Sequence, residues 1–226
     1  FLANSEFNQS LDNWNVRSVI DMSLMFAHAT SFNQPINNWD VSNVLTMEGM
    51  LANTAFNYPL NNWDVSNVTN MTGIFNGTIN FDQSLASWDV SNVVSMQGMF
   101  GNLAKTSIKM NEEYFGMPFE DWPQLDKDIF ADWMFDTFGI DIYNDNLDDY
   151  DVAFSTANYD ATLIGWSSQN LVSNVRLDAV DIHYCNSEIQ RQSTITNLSW
   201  TINDAGKECP ATAPTIPITP SVTEVT

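Results

Sequence analysis

Between Phe32 and Leu51 the apolar residues stand at Phe32, Ile36, Trp39, Val41, Val44, Met47, Met50 and Leu51, with polar residues in most places between them. The same order, F-N-x-(P/S)-(L/I)-x-x-W-(D/N)-V-x-x-V-x-x-M-x-x-(M/I)-(F/L), begins at Phe7, Phe32, Phe56 and Phe81, at intervals of 25, 24 and 25 residues. Trp14, Trp39, Trp63 and Trp88 keep the same step. A fixed period of this size marks a repeat array. One unit is too small to bury its own apolar residues, so neighbours must stack and share a core. Within a unit, Trp39-Asp40-Val41 alternates with period two and predicts a short strand with Trp39 and Val41 inward. Ser42-Asn43 predicts a turn; Asn43, Asn67 and Asn92 recur there, where an Asn side chain can satisfy backbone groups. Met47, Met50 and Leu51, at i, i+3 and i+4, predict one short helical or 3₁₀ turn with an inward face. A Met and aromatic stripe at this spacing is core. Pro35 and Pro59 stiffen the return to the next strand, where a backbone donor can be spared.

Strands added once per repeat in the same direction make a narrow parallel sheet. The expected fold class is therefore an α/β repeat solenoid, leucine-rich-repeat-like, with short parallel strands on one face, short helical turns or loops on the other, and a C-terminal cap. Residues 1–102 hold four WDVSNV-type repeats and part of a fifth at the N-terminus. Phe1–Phe7 overlays Phe26–Phe32 at a shift of 25, so the chain is expected to begin inside a repeat of something longer. After Asn102 the period breaks. Residues 103–153 read as an acidic insertion holding 13 of the 28 acidic residues, and Phe115, Pro118 and Trp122 within it reproduce the spacing of Phe32, Pro35 and Trp39 as a degenerate repeat. Residues 154–209 are expected to cap the array. Asn158–Trp166 has helical spacing, Asn174–Asp178 reads as a strand, Ser187–Ser193 as a short helix, and Trp200–Ile202 as a strand. Residues 210–226, with 4 Pro and 5 Thr, read as an extended linker.

Charge narrows the partners. Against 28 Asp and Glu there are 7 Lys and Arg, a net charge of −21. That argues against nucleic acid, which needs clustered bases, and against docking on an anionic bilayer. It is compatible with a cationic partner, a divalent metal, or simple solubility. No run of 18 or more apolar residues exists, so no membrane insertion is expected. Cys185 and Cys209 lack zinc-site spacing. They are expected to form a disulfide, which would place the protein in an oxidising setting; two free buried thiols are the alternative.

If Trp and Val point inward, the residues between them point out. One outward row is Asn13, Asn38, Asn62 and Ser87; the next is Asn15, Asp40, Asp64 and Asp89. On strands about 4.8 Å apart, neighbouring carboxylates would repel by roughly 1 kcal/mol even in water. Splayed side chains, hydrogen bonds between coils, a cation or a ligand must offset this. The two rows are thus either coil-to-coil polar contacts or a ligand-binding concave face. Asp141, Asp145, Asp148 and Asp149 supply the oxygen ligands that calcium prefers, without the glycine and final Glu of an EF-hand loop; a solvated acidic loop is the alternative. No cofactor is required by any motif. His28 and His183 are the only histidines and have no spaced partner, and no nucleophile, zinc or phosphate-loop motif occurs. No catalytic residue is assigned.

The WDVSNV stretch followed by M-x-x-M-F resembles the BspA-like leucine-rich-repeat surface proteins of bacteria, with Trp39, Val41, Val44, Met47, Met50 and Leu51 on the family's apolar positions. Ser155–Trp166, Tyr184-Cys185 and Trp200–Cys209 look like the terminal module of such arrays. The resemblance covers 1–102 and 154–209, and 103–153 poorly. It implies a secreted or cell-surface location, a place in a longer surface protein, adhesion to protein or glycan ligands, and no catalytic machinery. The expected function is a non-enzymatic extracellular recognition module. A structural spacer displaying a neighbouring domain is the alternative, and a glycan-active enzyme a third.

Overall fold

A computed structural model describes residues 2–11, 13–101 and 154–209, with the single positions Gln124 and Lys127. Along 2–101 the units from Phe32 onward bury the residues their period marks, and in the first unit Phe7, Val19 and Met25 are half-buried. Phe32, Ile36, Val44, Met47, Met50 and Leu51 have no exposed surface, and Trp39 and Val41 almost none. Like residues of successive units lie on one another. Phe7, Phe32, Phe56 and Phe81 form a column with ring centroids 6.3, 6.1 and 6.4 Å apart. A buried indole N–H must find an acceptor, and each one finds it in the coil before. Trp39 Nε1 donates to Leu11 O (3.3 Å), Trp63 to Ile36 O (2.9 Å) and Trp88 to Leu60 O (2.9 Å). A polar column runs beside the rings: the Oδ1 atoms of Asn8, Asn33 and Asn57 accept from the backbone N–H of Asn33, Asn57 and Asp82, each at 3.0 Å. The corner asparagines satisfy backbone as their recurrence suggests, but across coils: Asn43, Asn67 and Asn92 Nδ2 donate to the carbonyls of Arg17, Ser42 and Ser66, each at 2.8 Å. Trp14 departs from the pattern and is 48% exposed.

Backbone pairing sits elsewhere than the alternation predicts. Trp39–Val41 is not a strand, because the amides after it close local turns, as in Val44 N to Val41 O at 2.9 Å. The parallel bridges join Asp21, Thr46, Asn70 and Ser95, just before the conserved spacing of Met residues begins. The Met47–Leu51 stretch is not a helical turn either. Met47, Gly49, Leu51 and Asn53 send their N–H groups to the next coil, at 2.9, 2.8, 3.1 and 2.7 Å, while Met50 and Ala52 close turns within their own. A helix would aim every amide along its own axis. Left-handed residues prevent that: Leu24, Gly49, Gly73 and Gly98 occupy one such row, at φ 56°, 58°, 61° and 62°. Glycine reaches this conformation without steric cost, and three of the four units use it.

The unit from Phe154 onward continues the stack with regular elements: α1 (Thr156–Ser167), β1 (Arg176–Tyr184), α2 (Glu188–Leu198) and β2 (Thr201–Lys207). All four are longer than their sequence patterns indicate. Tyr159, Leu163 and Trp166, at i, i+4 and i+7, turn one face of α1 onto the last coil. Trp166 Nε1 donates to Leu85 O at 3.0 Å, so a helix delivers the next indole of the column. Its neighbour Gly165 lies so close to Ala86 that a Cβ there would fall 2.5 Å from the Ala86 carbonyl oxygen. The parallel ladder also continues, from Met96 to Leu177 of β1 and from Leu177 to Ile202 of β2. Phe100 and Phe154 rest 4.6 Å apart, close to the 4.0 and 3.9 Å of Phe26–Phe32 and Phe75–Phe81 within single units. Phe154 therefore occupies the place where a unit's next Phe belongs. The acidic insertion and its degenerate repeat, and the Pro/Thr-rich linker, lie outside the described residues.

Carboxylates tie this unit together. Asp160 on α1 is buried and accepts from Cys185 N (3.0 Å), Asn186 N (2.8 Å), Ser187 N (3.0 Å) and Ser187 Oγ (2.7 Å). Asp204 on β2 takes Arg191 Nε at 2.7 Å and the Tyr159 hydroxyl at 3.1 Å. Burial first, and then the Asp204 charge, hold the Tyr159 hydroxyl well above its ordinary pKa. Cys185 and Cys209 are joined in a disulfide.

Candidate functional site

The expected outward rows are exposed, and one carboxylate oxygen of each Asp is committed to the fold. Asp40 Oδ1 accepts from the backbone N–H and hydroxyl of Ser42, at 3.2 and 2.6 Å, and Asp64 does the same with Ser66, at 3.1 and 2.6 Å. Asp89 accepts from Ser91 N at 3.0 Å and Asn15 from Arg17 N at 3.2 Å. Each side chain closes the turn that follows it, which is why the D-V-S spacing recurs. The bonds from Ser42, and then the Arg17 charge 3.6 Å from Oδ2, hold the Asp40 carboxyl below its ordinary range. In the other row, Asn62 N donates to Asn37 Oδ1 at 3.0 Å and Ser87 Oγ to Asn61 O at 3.3 Å. Asn38, Asp40, Asn62 and Asp64 border one shallow hollow of about 370 Å³. Ser87 and Asp89 border another of about 410 Å³ with Gln169 and Asn170 of the C-terminal unit. Asn13 and Asn15 line neither hollow. Asp141, Asp145, Asp148 and Asp149 lie outside the described residues. Among the described residues, no three His, Cys, Asp or Glu gather as a metal site.

A different row is apolar and open. Ile20, Leu45 and Val94 are 57%, 47% and 56% exposed, and Thr69, also exposed, stands between Leu45 and Val94. These four residues precede the parallel bridges directly. Their backbones bond in register, Leu45 N to Ile20 O (2.8 Å), Thr69 N to Leu45 O (2.9 Å) and Val94 N to Thr69 O (2.9 Å). The row is therefore held rigid along the stack. Polar side chains beside it also bond between coils: Ser23 Oγ with Thr46 Oγ1 at 3.0 Å, Asn70 Nδ2 to Glu48 Oε2 at 2.9 Å, and Thr72 Oγ1 with Ser95 Oγ at 2.6 Å. The sequence carried a signal for this row. The position after the second Val of each unit is Ile, Leu, Thr or Val, all suited to an extended, half-exposed backbone. It is missed when only the buried positions of the period are followed.

The surroundings are acidic. Residues 1–101 contain eight Asp and Glu against Arg17 alone. In 154–209 the three cations are each paired: Arg176 with Asp178, Arg191 with Asp204, and Lys207 with Glu188. Among the described residues no helix is long and apolar enough to cross a membrane.

Residues 1–114 match a protein family described as Mycoplasma protein of unknown function, DUF285. No curated protein and no solved structure matches the chain.

Proposed function

The chain belongs to the DUF285 family, and from that premise we propose that it is a non-enzymatic, extracellular recognition module of a bacterial surface protein. The stacked units are, in this reading, a leucine-rich-repeat-like solenoid of BspA-like character, closed by residues 154–209 as its cap. The observation that carries the proposal is the exposed row Ile20, Leu45, Thr69 and Val94. Ile20, Leu45 and Val94 hold apolar surface in water in register along one ladder, with Thr69 between them, and a partner would bury it. The partner is a protein or glycan, and no cofactor takes part. The Cys185–Cys209 disulfide supports an oxidising, extracellular setting.

The commitment of Asp40, Asp64 and Asp89 to their own turns favours a second reading, a spacer that only displays a neighbouring domain. One experiment separates the two. The chain is presented to an array of glycans and matrix proteins, beside Leu45→Asp/Val94→Asp and Asp40→Asn/Asp64→Asn/Asp89→Asn. The recognition reading expects a ligand whose binding drops at least about tenfold in the first variant and little in the second. No ligand for the parent chain leaves the spacer. Loss confined to the aspartate variant moves the site to the Asp row.

A further inference from the structure

We propose that a slot beside this row receives the side chain of a lysine or arginine from a basic partner protein. The inference rests on the recognition reading and names the chemistry of its partner. The slot encloses about 210 Å³ on the side of the stack where left-handed residues recur. It follows from the backbone. The coil-to-coil amide bonds require φ near 60° at positions 49 and 73, those positions are glycine, and two successive units therefore present no side chain. Ala3, Ala27 and Ala52 give the lining its small apolar parts, and Asn4, His28, Thr72 and Asn76 its polar ones. Leu24 closes one end: a Cβ on Gly49 would come within 2.7 Å of Leu24 Cδ2. Over Gly73 a Cβ would meet nothing nearer than Asn76 Cβ at 3.7 Å, so this end has room for an occupant.

The slot's one carboxylate selects that occupant. Glu48 is exposed, lines the slot, and has Oε2 fixed by Asn70 Nδ2 at 2.9 Å. Its other oxygen serves an incoming donor. A trench with small apolar parts and a carboxylate beside it matches a lysine or arginine, whose methylene stem is apolar and whose head is a cation. A charge-assisted bond there is stronger than one between neutral groups. Arg17, the one Lys or Arg of residues 1–101, lies against Asp40, and His28 lines the slot itself. Glu48 stands three residues after Leu45 in the same coil. An acidic glycan would meet the same carboxylate as a repulsion.

The test is a titration of the ¹⁵N-labelled full chain with Nα-acetyl-lysine methylamide, following the amide signals of Gly49, Gly73 and Ala52. The matching norleucine derivative, which keeps the stem and lacks the charge, is the control. Saturable shifts at these glycines are expected with lysine, with affinity about tenfold lower for norleucine and for lysine on Glu48→Gln. Gln keeps an oxygen for Asn70, and an unchanged spectrum elsewhere shows that the variant is folded. Absence of a saturable shift, or equal responses to lysine and norleucine, overturns the slot. It leaves the recognition reading standing if Leu45→Asp/Val94→Asp still abolishes binding on the array. If instead lysine fills the slot and that variant binds every array ligand normally, the recognition reading fails and the slot remains.

Discussion

Trp88 and Trp166 make the same bond, an indole N–H to a leucine carbonyl in the coil before, at 2.9 and 3.0 Å. Trp88 reaches it from an irregular coil and Trp166 from a helix. In residues 2–101 a short rule recurs from coil to coil: ring on ring, indole to carbonyl and Asn to amide three times each, with a left-handed residue in each of four units. Contacts that occur once there, such as Arg17 with Asp40 and Asn70 with Glu48, lie on the exposed surface. In residues 154–209 the contacts occur once each: Asp160 gathering three backbone N–H groups, Arg191 with Asp204 and Tyr159, and one disulfide. Residues 2–101 are held by one apolar rule repeated, whereas 154–209 are also tied by polar groups that each meet once.

The comparison breaks first at the column itself. Trp88→Ala removes a fully buried indole from the middle of the stack and should cost about 3–5 kcal/mol in a urea unfolding series. Trp14→Ala, half-exposed at one end, should cost far less. Equal losses would mean that the column is not a cooperative core. The disulfide is the next largest effect. Cys185→Ala/Cys209→Ala opens a loop with a sequence separation of 24 and should lower stability by about 3 kcal/mol. If the array and the C-terminal unit unfold together, the whole transition moves; a shift seen only by probes in 154–209 would make them separate folding units.

The seam between the regions can be probed more gently. Gly165→Ala drives a methyl against the Ala86 backbone, which cannot swing aside, and should cost about 1–3 kcal/mol. The smallest effect is the pH response of Asp82, which caps the array's polar column and accepts Ser155 N at 2.9 Å and Asn158 Nδ2 at 2.8 Å across the seam. Burial pushes its pKa up, but the bonds from Asn158 and Ser155 outweigh burial and hold it below the ordinary value of 3.8. A carboxyl depressed in the folded state stabilises above its unfolded pKa, and that stabilisation disappears as pH falls through the folded value. Thermal midpoints should therefore decline below about pH 4, and less steeply in Asp82→Asn. An identical slope in the variant would remove Asp82 from the seam.

Much of the stack was legible without coordinates. Burial of Phe32, Ile36, Trp39, Val41, Met47 and Met50 follows from period alone, because a repeated apolar position has nowhere to go but the shared core. The pairing strand was not legible at Trp39–Val41, where alternation pointed. Alternation reports which side chains face inward, not which amides remain free, and those after Trp39 are used up by local turns. The same gap moved the candidate site. Asp40, Asp64 and Asp89 do face outward, but one oxygen of each is held by the Ser two residues on. Leu45 and Val94, which the repeat pattern leaves unassigned, are half in water.

What the sequence by itself determined is the repeat, its length, its buried set and the acidity of its surface, because each depends only on the order of side chains. The tertiary structure decided which backbone groups bridge the coils, which outward row stays open, and that Phe154 and Trp166 enter the column beyond Gly101. Those outcomes depend on where hydrogen-bond donors are spent and on which distant residues meet in space.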